Sequence, residues 1–186
     1  SGRTPSEAEV AATLRDVIAK AHQRVVLTTF PTNLERVRST IDAAIESGRV
    51  VVALGRSAEK MIEIGLELGY LPEDAPLASR HELRELPPEK QLVIAAGCQA
   101  DPRSTMNRIA AKEHPILTLD SGDLLIYSAR KIPGNERNIA AMYDALIEQG
   151  VEIVDERKAC VHTSGHAQHD ELLELYNLIK PTLAIP

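Results

Sequence analysis

Short aliphatic runs with little apolar–polar alternation recur along the chain, at Arg24–Phe30 (RVVLTTF), Arg49–Leu54 (RVVVAL), Gln91–Ala96 (QLVIAA), Asp123–Ser128 (DLLIYS) and Val151–Val154. A strand with one wet face alternates; a strand covered on both faces does not. These runs therefore belong to a buried, mainly parallel sheet. Ala159–His162 and Thr182–Ile185 are shorter strand candidates. Between the runs lie amphipathic helical stretches. Ser6–His22 opens on a capping-box pattern, Ser6 with Glu9 three residues on; Asn33–Glu46 starts at an Asn cap and stops before Gly48. Ala58–Leu68 ends at Gly69, Asn135–Gln149 at Gly150, and Gln168–Ile179 runs into Pro181. Strand–helix alternation of this kind implies an α/β fold, a three-layer sandwich with helices on both faces of the sheet. Leu71–Glu89, with four prolines and many charges, reads as an insertion or rim loop.

The length of 186 residues suits one domain with a core that needs neither disulfide nor metal. With no Trp, one Phe and a net charge of -6, the composition argues against a base-stacking platform and against gripping nucleic acid over the whole surface. A charged partner is met at local spots. Cys98 and Cys160 form no CxxC motif, no apolar run approaches the roughly 20 residues of a membrane span, and the N-terminus has no apolar signal region. A reducing cytoplasm, away from membranes, is the expected location.

In open parallel sheets, ligands bind beyond the carboxyl ends of the strands. The polar punctuation collects at those turns: Thr28-Thr29-Phe30-Pro31-Thr32-Asn33 with Arg36 one turn on, Gly55-Arg56-Ser57, Gly97-Cys98-Gln99-Ala100-Asp101-Pro102, and Ile132-Pro133-Gly134-Asn135-Glu136. Together, their hydroxyls, glycines and helix N-termini suit phosphates, with Arg36 and Arg56 supplying charge-assisted contacts. Neither a dinucleotide fingerprint nor a P-loop is present. Each turn alone is a weak signal, and one such as Gly-Arg-Ser is more often plain punctuation than a site.

The densest cluster is His162-Thr163-Ser164-Gly165-His166-Ala167-Gln168-His169. Three histidines in eight residues invite a zinc reading, but no Cys or second His pair completes a shell, and the spacing does not suit a self-contained site. His169 reads as a solvated first-turn residue. On spacing alone, turn-stabilising hydrogen bonds suit His162 and His166 as well as a functional role does. Cys98 lacks a local base and reads as a small core filler. Asp120, Asp123, Asp155 and Glu156 read as solvated loop charge.

The ending VHTSGHA, a polar helix and then LIKPTLAIP closely resembles ribonuclease J. Ile132-Pro133-Gly134-Asn135-Glu136 is that family's other strong signature, and Thr28-Thr29-Phe30…Asn33…Arg36, Gly55-Arg56-Ser57 and Glu67-Leu68-Gly69-Tyr70-Leu71 agree in order and spacing. The resemblance spans essentially the whole chain. It implies a zinc-dependent ribonuclease of the metallo-β-lactamase superfamily, with residues 1–186 forming a single β-CASP domain inserted into the catalytic domain. The zinc-binding His-x-His-x-Asp-His motif does not occur in the chain. On this resemblance zinc belongs to the full-length enzyme, the metal ligands lie outside the chain, and the chain alone does not cleave RNA.

The resemblance also assigns roles. His166 is the conserved β-CASP histidine that reaches the scissile phosphate, assisted by His162. Ser164, with Thr163 and Gly165, holds phosphate oxygens. Thr29, Asn33, Arg36, Arg56, Ser57, Gly134 and Asn135 line the RNA channel. The family's Gly-Ser-Gln-Gly-Glu-Pro turn stands here as Gly97-Cys98-Gln99-Ala100-Asp101-Pro102, with three substitutions. The chemistry implied is hydrolysis by a metal-bound hydroxide, from a 5′-monophosphate end or internally. The implied partners are single-stranded RNA, the chain's own metallo-β-lactamase domain and, as the resemblance allows, further copies in a homo-oligomer. The same rim also suits a stand-alone module that binds a phosphorylated nucleotide or small molecule without catalysis, or an inactive assembly subunit.

Overall fold

The computed structural model describes residues 2–30 and 32–185. Five strands, β1 (Val25–Thr28), β2 (Val50–Leu54), β3 (Gln91–Ala95), β4 (Leu124–Tyr127) and β5 (Glu152–Val154), form one sheet in the order β2-β3-β1-β4-β5. All four pairings are parallel. The α/β sandwich read from the aliphatic runs is the fold observed. Its physical basis is visible in β1, where Val25 and Leu27 enter one core and Val26 enters the other.

On one face lie α1 (Glu7–Lys20), α2 (Leu34–Ser47) and α3 (Arg56–Glu67); on the other lie α4 (Thr105–Ala110) and α5 (Glu136–Glu148). Helix α1 has its expected capping box, and Val10, Leu14 and Ile18, spaced four apart, are its buried stripe. Helix α2 ends at Gly48, whose left-handed φ of 63° suits a residue without Cβ. Helix α4 has no counterpart among the expected helices: six residues are too few to show a period, although Ser104 caps it from the side chain.

Segment 71–89 is less of a loop than its prolines suggest. Val51 donates to the Pro76 carbonyl at 2.7 Å and accepts from the Ala78 N–H at 2.9 Å, covering the outer edge of β2. Leu83 is buried beneath the sheet face that carries α4 and α5. Neither Ala159–His162 nor Thr182–Ile185 is a strand. Instead Val161 is buried in the core beside α1 and α2, where burial alone accounts for its apolar side chain. Asp123 and Asp155 are likewise buried, in ion pairs with Arg24 and Arg157, and not solvated as their loop positions suggest.

Helix α6 (His169–Ile179) contrasts with the others. None of its residues is buried, and Leu172, Leu175, Tyr176 and Ile179 stand in solvent at helical spacing. It is tied to the rest by polar contacts with the N-terminal segment: Thr4 donates from its backbone and hydroxyl to Glu171, and Gly2 donates to Asp170.

Candidate functional site

The chain leaves β1 toward β2 through α2 on one face, and leaves β4 toward β5 through α5 on the other. The carboxyl ends of β1 and β4 therefore border a topological switch point, the position where open α/β sheets bind ligands. A cavity of about 1110 Å³ opens there. Phe30 and Asn33 line it from the β1 side, Arg130–Pro133 from the β4 side, and the 162–167 turn closes it against residues 4–7.

The turn is rigidly held. The Thr163 hydroxyl donates to the Pro5 carbonyl at 2.6 Å, and the Thr4 hydroxyl, which donates to Glu171 at 2.7 Å, lies 3.3 Å from the His166 carbonyl. The Ser164 hydroxyl oxygen accepts the His166 N–H at 3.1 Å, which leaves its own hydrogen for a ligand. His166 is exposed, whereas His162 is half-buried and its Nδ1 has no hydrogen-bond partner among the described residues. Burial, then the positive charges of Arg36 and Arg130, hold the His162 pKa below the ordinary imidazole value, against an opposing pull from Glu7.

Two of the carboxylates beside the cavity are already engaged. Glu7 receives Arg36 Nη2 at 2.9 Å on both oxygens and Nε at 3.0 Å. Glu171 accepts from Thr4 and Gln168, and these hydrogen bonds hold its pKa below the usual carboxylate range. Arg130 is exposed, and among the described residues no carboxylate pairs with it. Anionic oxygens suit this cleft. Among the described residues no three His, Cys, Asp or Glu side chains come together as a metal shell, and the charges of Arg36 and Arg130 are both felt at His162.

The sequence candidates separate accordingly. His162, Thr163, Ser164, Gly165, His166 and Asn33 share the cavity. The Asn33 side chain is partly committed, capping α2 through the Arg36 N–H and donating to Glu7. Arg36 is not a rim cation: fully buried, it donates to Glu7, to the Ser128 hydroxyl and to the Val161 carbonyl, tying α1, α2, β4 and the histidine turn together. Thr29 is buried at the end of β1. Arg56 and Ser57 are exposed beyond the edge strand β2, separated from β1 by β3. Gly55 must be glycine there, with φ 105° and room for a Cβ only 2.6 Å from Thr105 Oγ1. Gly134 and Asn135 lie just past the cavity lining. Pro31 lies outside the described residues.

Arg130 and Lys131 were not singled out by sequence, and Phe30 entered only as part of the Thr28-Thr29-Phe30 motif, without a role of its own. Their only signal was position, two to four residues past the ends of adjacent strands. Gln99 fixes that wall: its amide donates to the Arg130 carbonyl at 2.9 Å and accepts from the Ile132 N–H at 3.1 Å. Cys98 beside it is buried, and its pKa is pushed up to about 11 by desolvation, so it is no nucleophile at neutral pH.

The family model for ribonuclease J, beta-CASP domain, matches residues 22–146. Ribonuclease J of Mycolicibacterium smegmatis is 40% identical over 186 residues, and that of Sinorhizobium meliloti 37% over 185. That of Thermus thermophilus is 38% identical over 185 residues. Each alignment covers 100% of this chain and 32–33% of the relative, so the chain spans about a third of the length of these curated relatives.

Proposed function

The chain belongs to the ribonuclease J family through its β-CASP domain, and from that premise we propose that the cleft between β1 and β4 is the RNA-holding half of a zinc-dependent ribonuclease active site. The observation that carries this reading is the convergence of His162, Ser164 and His166 on one cavity at the switch point, beside Arg130, which pairs with no carboxylate among the described residues. A phosphodiester in this cleft meets the Ser164 hydroxyl and the imidazoles as donors, and donors fixed before the reaction stabilise charge that develops during it. The exposed ring of His166 is the group free to reach a scissile phosphate and to supply a proton to the leaving oxygen.

Zinc and the opposite wall of the site belong, on this reading, to a metallo-β-lactamase domain outside these residues. The apolar face of α6 supports it, since a helix with Leu172, Leu175, Tyr176 and Ile179 in solvent is built to be covered. On this reading the substrate is single-stranded RNA, held along its backbone and cut from a 5′-monophosphate end or internally.

The test is RNA cleavage by the full-length protein. His166→Ala is expected to lower kcat by about 10²–10⁴-fold while KM changes little. Unchanged turnover would remove His166 from the chemistry. Equal affinity for a mononucleotide and for a longer 5′-phosphorylated RNA would instead favour a small-ligand module.

A further inference from the structure

Phe30 is the chain's single phenylalanine, and 39% of it stands in solvent at the lip of the cleft. A large apolar ring is ordinarily buried, as Thr29 one residue earlier is. Across the crevice stands Arg130. Thr28 pairs with Tyr127 in register and its carbonyl accepts the Ser128 N–H, so Phe30 and Arg130 emerge from adjacent strand ends into one cavity. The Gln99 amide fixes the Arg130 backbone, while the guanidinium is exposed and meets no carboxylate among the described residues. Its charge is felt at His162. In a chain of net charge -6, an unpaired arginine opposite a bare aromatic ring is a juxtaposition that packing does not explain.

Resting on the RNA-binding reading above, we propose that Phe30 and Arg130 form a one-nucleotide subsite for single-stranded RNA, with the base stacked on the ring and the adjoining phosphate on the guanidinium. Stacking on an aromatic face tolerates every base, and a planar guanidinium matches a phosphate with two parallel hydrogen bonds. The subsite selects single strands, because a duplex keeps its bases stacked on one another.

The experiment is fluorescence anisotropy of a labelled, 5′-phosphorylated single-stranded RNA with the full-length protein, cleavage being suppressed by a chelator. Phe30→Ala is expected to weaken binding roughly 5- to 100-fold without altering its salt dependence, and Phe30→Tyr to restore it. Arg130→Gln is expected to flatten the slope of log affinity against log salt by about 0.7, the share of one phosphate contact on a single strand. Lys60→Gln, which removes a charge on α3 away from the cleft, leaves both quantities unchanged. An unmodified protein that binds RNA, with Phe30→Ala within twofold of it or Arg130→Gln equal to it in slope, overturns the subsite and leaves the broader reading standing. An unmodified protein that does not bind single-stranded RNA overturns both.

Discussion

His162 lines the cleft and Arg36 lies buried behind it, and the two divide its work. Burial and the charges of Arg36 and Arg130 depress the His162 pKa, so the ring is neutral at neutral pH in the free protein. A bound phosphate reverses that field and raises the pKa, so binding takes up a proton. RNA affinity is therefore expected to rise as pH falls from 7.5 toward 6, and titration of binding with His162→Gln is expected to show a flatter profile. An equally steep profile in the variant would assign the proton elsewhere. Arg36 acts in the interior. Its removal takes the bidentate cation from the Glu7 carboxylate, which at 35% exposure recovers some hydration, while the Ser128 hydroxyl and the Val161 carbonyl keep their bond to each other. Arg36→Met is expected to cost on the order of 3 kcal/mol, read as a lower urea midpoint at unchanged slope. A variant as stable as the unmodified chain would contradict the clamp.

At the scale of elements, α6 stands apart from the two-sided core, which closes around β1–β5 and α1–α5 without it. Among the described residues, deleting 168–186 removes exposed and part-buried polar contacts to the N-terminal segment, each worth roughly 1 kcal/mol. The shortened chain is expected to unfold within a few degrees of the full one while binding less of a hydrophobic dye. A large fall in midpoint would show that α6 is part of the core. The strands and long helices were legible in the sequence because burial on both faces, helical period and caps each leave a local pattern. Short α4 left none. Arg36 misled because an arginine one turn into a helix after a switch-point strand looks the same whether it faces a phosphate or a glutamate. Only the packing of α1 across it decides between them. Phe30 and Arg130 escaped for the converse reason: each is unremarkable alone, and strand register alone makes them neighbours.

The whole molecule carries a net negative charge, yet the cleft between β1 and β4 has its Glu7 and Glu171 engaged internally, and Arg130 meets no carboxylate among the described residues. Net charge therefore sets solubility and long-range repulsion, while local pairing sets what the cleft accepts. On the proposed reading, the β-CASP fold offers RNA a narrow channel instead of a basic surface, and the exposed stripe of α6 faces the remainder of a longer enzyme. The most direct measurement is photo-cross-linking of 4-thiouridine-containing single-stranded RNA to the full-length protein under chelation, with the modified peptides located by mass spectrometry. Adducts within this chain are expected to concentrate on Phe30, residues 130–133 and residues 162–166. Adducts spread over the outer faces of α3 and α5, with that cleft unmodified, would contradict it.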